Sequence, residues 1–482
     1  MKTTLHMNAS LSQKEKTSKQ EPFARVTPLL KASLLLGAGG GFVLATILVL
    51  TSALSLPLGP WWEALAQAHG QLQLYGWAGL FVLGVAFHFL PRLRGAPLAV
   101  PQLVPWVLSS LVAGLLLRAL SAPLLTIAGI TIWRIVLFLS GVLECIGQLL
   151  ALVILALTAR RGPPIASRPA YRGILPFLIG AFCAFGSAGI INLVNMLQAA
   201  AGIGLVMSAG DDLNTTLGLL GFLLPMALAM SARSLPMYAG LEAFPQRVMW
   251  PLAASYLLGL IFACIGIGTE QLSILWLTML EGLGMVLMGV VLIVFVGVFL
   301  RLMRSRGRLP QKVVQLAPRP ARVARSYQIR VLNERSSYGP FVALIASAYL
   351  WAVLGALLLI IDGGTLLFGA QLPIAFDAIR HSFAIGFIAL LICGIAPRML
   401  PGFSGGHIAS SKLVTATLWL GNIAALLRVG SILAAPAFGA LGDAGHTLIS
   451  LAFGLSGPLG LALAICLAIN LWPALIASPK TQ

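Results

Sequence analysis

Two histidines, His69 and His381, have the residue type and the setting that favour chemistry in this 482-residue chain. Each begins a long apolar segment that contains few charged residues. A histidine inside a membrane segment is costly to place, so it marks a functional site by default. Imidazole is also the commonest metal ligand, which makes both residues candidate metal ligands. The alternative is a pair of interfacial histidines that bond only water or carbonyl groups.

The elements that must position these residues are membrane helices. The chain is 59% apolar and 9% charged, whereas ordinary soluble domains have about 25% charged residues. Apolar segments long enough to cross a bilayer recur along the chain. We predict twelve, at roughly 30–55, 67–91, 101–121, 129–159, 172–199, 213–235, 247–268, 271–301, 339–361, 377–399, 411–434 and 447–474. The predicted fold is an all-α polytopic membrane bundle.

The net charge of +18 indicates membrane orientation rather than nucleic-acid binding. Basic residues are concentrated in alternate loops, above all in 302–338, and the acidic residues lie mostly in the other loops. The positive-inside rule therefore predicts that both termini and the basic loop are cytoplasmic. Residues 1–28 have no adjoining apolar core of a signal peptide and are expected to form a cytoplasmic tail. All five cysteines fall inside apolar segments without a CxxC spacing, so we interpret them as packing residues.

One pattern occurs three times, and it divides the chain into three units of four helices. The stretches 76–95, 221–240 and 386–405 share an opening Gly, a following aromatic residue, a Leu-Pro step and a closing Gly. Their offsets of 145 and 310 residues place them on predicted helices 2, 6 and 10. We therefore predict a single membrane domain over 29–475. Its repeats are approximately 29–160, 172–301 and 339–475, with three parallel equivalent helices related by a pseudo-three-fold axis.

The repeat also sorts the remaining histidines. His88 aligns with Arg233 and Arg398, which favours a basic anchor near the membrane surface over a ligand. It lies 19 residues from His69, or about 28 Å along a helix, so the two cannot share a site. His446 begins the last segment at the depth of His69 and His381 and is a candidate ligand for a further metal. A lone histidine there is more often a satisfied interface residue.

Charged residues inside or near the apolar segments form a second group of candidates. Arginine is unexpected at the ends opposite the basic loops, and it makes bidentate bonds with carboxylates. The four arginines at such ends could bind an anionic cofactor group or pair with nearby aspartates, and they are Arg118, Arg134, Arg380 and Arg428. Glu144 and Glu281 lie well inside helices 4 and 8. Each is either a proton- or ion-handling group or a protonated carboxyl that bonds a neighbour.

The stretches AHGQLQLYGWAGLFVLG (68–84) and RHSFAIGFIALLICGIAPRMLPGFSGG (380–406) resemble the NnrS family of twelve-span, haem-containing bacterial membrane proteins linked to nitric-oxide responses. The 4+4+4 organisation is also similar to the catalytic subunit of haem-copper oxidases. In that architecture helices 2 and 10 hold the low-spin haem. The resemblance implies a location in the cytoplasmic membrane of a bacterium and haem ligation by His69 and His381.

Several expectations follow from this resemblance. The haem would be of the b type, since the chain has no CxxCH attachment motif. Arg118, Arg134 and Arg428 are candidates to bind its propionates. Copper is compatible with the resemblance, but no residue pattern supports it. Gln71 replaces a second histidine found often in the family, and helix 7 has no histidine. The three-histidine copper centre of a terminal oxidase therefore cannot be built, and terminal oxidase activity is not expected.

The expected function is a haem protein that binds, senses or protects against a diatomic gas such as nitric oxide. The alternative from a different class is a secondary transporter that uses Glu144, Glu281 and the arginines, with structural histidines. Helices broken near the middle of the membrane would favour the transporter. The nearest candidates for such breaks are Pro225 and Pro458.

Overall fold

The computed structural model describes residues 23–239, 244–304, 337–370 and 376–476. Most of the predicted tail (1–28), most of the basic loop (302–338) and the repeat glycine Gly240 lie outside these ranges. The described residues form helices and connecting turns, with no β-strand among them. The predicted all-α class is confirmed.

Twelve helices within the described ranges are long and apolar enough to cross a membrane, as predicted. We number them α1 to α12 in chain order: Thr27–Ala53, Pro60–Arg94, Pro101–Ala128, Thr131–Arg161, Tyr171–Ala201, Ser208–Pro236, Gln246–Gly268, Leu275–Leu302, Phe341–Leu367, Phe376–Ser404, Ser411–Gly439 and Asp443–Ile476. The protein is an integral membrane protein, because so many long apolar helices need a hydrocarbon environment.

Helices α2, α6 and α10, which contain the repeated pattern, form the centre of the bundle. In their most apolar stretches, 89%, 78% and 78% of the residues are buried, against 28–61% in the other nine helices. The other nine surround them and expose many large apolar side chains, such as Trp106, Leu350 and Trp419, as expected of a lipid-facing surface. Neighbouring helices in sequence pack against one another, and α12 packs against α1, which closes the outer layer.

Each central helix contains a π-helical segment at the same point of the repeat. The segments are Leu72–Gly79, Leu217–Leu223 and Ser382–Ala389. Their first residues differ by 145 and 310, which are the offsets of the sequence pattern. π-Helical segments are rare and occur often at functional sites. The three central helices therefore share this local backbone geometry as well as the sequence pattern.

The ends of α2 and α10 are also equivalent. Pro91 and Pro401 lie inside the last turns, and each helix continues to Gly95 or Gly405. Both glycines are in the left-handed region, with φ of +67° and +71°. Glycine adopts this conformation without steric cost, so it ends the helix. The Leu-Pro step therefore does not end these helices, which continue for about one further turn.

Candidate cofactor site between two histidines

His69 and His381 line one cavity of about 430 Å³, which we call the histidine cavity. It is bounded by α1, α2, α6, α10, α11 and α12. Pockets for organic ligands typically enclose about 300–1,000 Å³. His69 and His381, which the sequence predicted as a pair, therefore line a cavity whose volume is in the range of organic-ligand pockets.

The cavity lies where equivalent positions of the three repeats meet. Three inward-facing positions recur with the offsets of 145 and 310, and all nine residues line the cavity: Gly70, Thr215 and Arg380; Leu74, Leu219 and Ala384; Ala78, Leu223 and Ile388. Residues of the three helices thus follow one another in the same order along one axis. The prediction that α2, α6 and α10 run parallel around that axis is confirmed for the described residues.

The same symmetry explains why the two histidines face one cavity although they are offset by two residues in the repeat. The inward position in this layer is Gly70 on α2 and Arg380 on α10. His69 lies one residue before it and His381 one residue after it. Their side chains are therefore rotated from the inward direction by about 100°, in opposite senses. At the α2–α6 contact the equivalent pair, Gln71 and Asn214, is hydrogen-bonded, with Nε2 and Oδ1 2.5 Å apart. At the α6–α10 contact the pair is Thr216 and Ile379, which line a common crevice. On α10 and α2, the equivalent pair is His381 and His69.

Each histidine has one ring nitrogen occupied and the other free. The Nδ1 of His69 lies 2.8 Å from the backbone oxygen of Gly41 on α1. The Nδ1 of His381 lies 2.9 Å from both the backbone oxygen and Oδ1 of Asp377, one turn earlier. Neither Nε2 has a hydrogen-bond partner among the described residues. An Nδ1–H bonded to a carbonyl or carboxylate fixes the tautomer in which Nε2 is a metal ligand.

Two arginine–aspartate pairs surround the histidines in the cavity lining. Arg428 of α11 donates from Nη2 to Oδ2 of Asp377, at 2.7 Å, and its guanidinium lies 4.3 Å from the ring centre of Phe453. Arg380 of α10 is paired with Asp212 of α6. The Nε atoms of both arginines are buried without a partner in the described part of the chain. The predicted pairing of arginines with aspartates therefore occurs, and each guanidinium keeps an unused donor.

The structure separates the other predicted site residues from this cavity. Arg118 is buried among α3, α4 and α5, where it donates to Asn192, which in turn donates to Glu144 at 3.2 Å. Arg134 donates to the backbone oxygens of Ala200 and Ala201. Neither arginine lines the histidine cavity. Their predicted role in binding propionates at the His69–His381 site is wrong, because the side chains are directed to other partners.

The remaining histidines also lie elsewhere. His446 is exposed at the start of α12 beside Gly439, and it does not line the histidine cavity. No group of three or more metal-ligating side chains occurs in the part of the chain that the structure describes. The interpretation of His88 as a surface anchor is wrong. It is 2% exposed and packs against Phe23 and Phe403, with ring centres 5.1 and 4.3 Å away.

Of the helix glycines Gly70, Gly84 and Gly386, Gly70 alone lines the histidine cavity. A Cβ atom at Gly70 would meet nothing within 4 Å. The others pack tightly within the protein: a Cβ at Gly84 would meet Leu30 at 2.9 Å, and one at Gly386 would meet Trp351 at 2.6 Å. Small residues that let helices approach closely are common in membrane proteins. Packing therefore explains most of the glycines on α2 and α10.

The donor set fits a haem. It offers two imidazole Nε2 atoms on different helices, in a cavity with apolar walls such as Trp77 and Phe453 and with two arginines for anionic groups. Six-coordinate haem iron needs one axial ligand on each side. Asp377 contacts both His381 and Arg428 in the cavity lining. Its i,i+4 spacing from His381 is the signal that could have identified it.

Comparison with known proteins adds no assignment. The chain matches no model of a protein family, and no curated protein matches it in sequence.

Proposed function

We propose that this chain is a haem b-binding membrane protein of the NnrS type that responds to, or protects against, nitric oxide. The observation that supports the haem is the pair of imidazoles with bound Nδ1 and free Nε2 atoms in one cavity. The gas response rests on the sequence resemblance. When bound, such a haem supplies an iron that can coordinate a diatomic gas or transfer one electron.

The residues around the cavity would have distinct roles. His69 and His381 would hold the haem iron. Gly41 and Asp377 orient them, while Arg380 and Arg428 would bind the anionic propionates through their unused Nε–H groups. Because the Nδ1 of His381 faces a carboxylate and that of His69 a neutral carbonyl, we expect His381 to be the more firmly held ligand. His69 would then be the less firmly held of the two residues.

Absorption spectroscopy of the purified protein tests the proposal. Wild-type protein from haem-replete cells should show a low-spin b-type difference spectrum. His69→Ala should convert this spectrum to a high-spin one that added imidazole restores, because one of the two imidazoles is removed and free imidazole can replace it. His381→Ala should lose most of the haem, since the firmer ligand is removed.

Exposed histidines provide matched controls for this experiment. His407→Ala and His446→Ala should leave the spectrum unchanged, since both side chains are exposed and neither lines the cavity. A His446→Ala variant without its haem signal would show that a second ligand set exists. Wild-type spectra in both His69→Ala and His381→Ala would contradict the proposed ligation.

A secondary transporter is the alternative function. The breaks expected near the middle of the membrane do not occur in the described helices, because Pro225 and Pro458 lie within the continuous helices α6 and α12. Glu144, which a transporter could use, is bonded by Asn192 in a buried cluster with Arg118. A colourless wild-type protein from haem-replete cells would favour the transporter.

A further inference from the structure

A second cavity, of about 110 Å³, lies among α2, α5, α6 and α10, on the Leu-Pro side of the histidine cavity. We call it the axial cavity. Its lining consists of aliphatic, aromatic and methionine side chains, and among the described lining residues Ser234 alone has a polar side chain. It takes no part in the histidine site described above.

The axial cavity follows the same pseudo-three-fold axis as the histidine cavity. Its lining repeats with the offsets of 145 and 310, in layers such as Phe81, Met226 and Leu391, then Val85, Met230 and Ile395. Leu223 and Ile388 line both cavities. The two spaces are therefore adjacent along the axis, and only one layer of side chains, completed by Ala78, lies between them.

The chemistry of the lining excludes polar occupants. A buried water needs two to four hydrogen-bond partners, and one serine hydroxyl cannot supply them. A charged or polar ligand would lose its hydration without replacement. Dry apolar cavities of a similar size, about 150 Å³, bind xenon or benzene. The lining and the volume fit a small apolar gas.

We propose that the axial cavity binds small apolar gases, including apolar diatomics, and supplies them to the histidine cavity past Leu223 and Ile388. The binding site stands on the cavity itself, whereas the supply to a haem rests on the proposed function. The side chains of this layer, Ala78, Leu223 and Ile388, are aliphatic and present no polar barrier to an apolar gas. The methionines Met226 and Met230 add flexible, polarisable surface to the path.

Crystals of the full-length protein under xenon pressure test the binding site without any haem chemistry. Wild-type crystals should show xenon density between Val85, Met230 and Ile395. Ala227→Phe should abolish that density, because Ala227 lines the axial cavity and not the histidine cavity. Ala86→Phe fills the same space from α2 and serves as a second variant. Ala343→Phe is the matched control, since Ala343 is exposed on α9 and its variant should bind xenon as wild type does.

A kinetic measurement tests the supply. In haem-containing protein, carbon monoxide rebinding after photolysis should slow roughly tenfold in Ala227→Phe, a barrier change of about 1.4 kcal/mol. It should be unchanged in Ala343→Phe. Unaltered rebinding in Ala227→Phe would overturn the supply route.

The outcomes separate the two proposals. Xenon density in a protein without haem would support the gas site and contradict the proposed function. Haem without xenon density, or an ordered acyl chain that fills the axial cavity, would overturn the gas site and leave the proposed function intact.

Discussion

At the scale of single residues, the chemistry of the site depends on which ring nitrogen is occupied. His381 and His69 both use Nδ1 for a neighbour within hydrogen-bond distance, so each can present Nε2 to the cavity. Asp377 is central, because its two carboxylate oxygens contact His381 and Arg428 at 2.9 and 2.7 Å. A ligand held in this way loses little rotational freedom when it binds a metal.

Gly70 provides a test of the space that the ligands share. We expect Gly70→Leu to reduce haem content strongly, because the new side chain would extend into the histidine cavity, where a Cβ now meets nothing within 4 Å. Gly297→Leu is the matched control, since Gly297 is an exposed helical glycine on α8 that also has no neighbour within 4 Å. Haem content per protein, measured by pyridine haemochrome, should fall only in the first variant. Equal haem content in both variants would contradict the assignment.

At the scale of helices, the repeat predicts that Arg118 of α3 and Arg428 of α11 are equivalent, since they differ by 310 residues. Their surroundings differ. Arg428 links α11 to Asp377 on α10 beside the histidines, whereas Arg118 joins α3 to α5 through Asn192. Asn192 also donates to Glu144 on α4. One arginine therefore belongs to the candidate site and the other to the packing of α3, α4 and α5.

Replacing each arginine with leucine should distinguish these roles. Arg118→Leu should lower the stability of the protein by about 1–3 kcal/mol, because it leaves Oδ1 of the buried Asn192 without its donor. Its haem spectrum should remain that of wild type. Arg428→Leu should weaken haem retention, since Asp377 loses the partner that holds it against His381. Thermal unfolding in detergent and haem titration measure the two effects. A lost haem signal in Arg118→Leu with unchanged stability would reverse the assignment.

At the scale of the whole molecule, three parallel central helices create two cavities on one axis. The outer nine helices shield this axis from lipid, and the closing contact between α12 and α1 completes the enclosure. The alternation of basic and acidic loops predicts which end faces the cytoplasm. The histidine cavity would then open toward the opposite side, and the Leu-Pro ends of α2 and α10 toward the cytoplasm.

Cysteine labelling in intact cells tests this orientation. In a background without the five native cysteines, Arg319→Cys should resist a membrane-impermeant maleimide until the cells are opened, because the basic loop is predicted to be cytoplasmic. Glu270→Cys is the control at the other end, in the exposed turn between α7 and α8, and should react in intact cells. The reverse pattern would invert the topology.

The sequence alone determined the twelve helices, the threefold repeat and the choice of His69 and His381. These features depend on local composition and on regular spacing, which can be counted along the chain. The π-helical segments were not predicted, because they depend on hydrogen-bond shifts that helix-forming composition does not reveal. The pairing of His381 with Asp377 corresponds to a spacing of four residues, which places both side chains on one face of the helix.

Only the tertiary structure decided which charged residues share the site. Arg118 and Arg428 occupy the same repeat position, yet Asn192 and Asp377, which bond them, come from non-equivalent helices. The axial cavity likewise depends on how closely α2, α6 and α10 approach one another beyond their π-helical segments. A sequence records the order of apolar residues on each helix. The rotation and separation of the helices result from the packing of all twelve together, so the partners of a buried side chain and the space left beside it are properties of the assembled bundle.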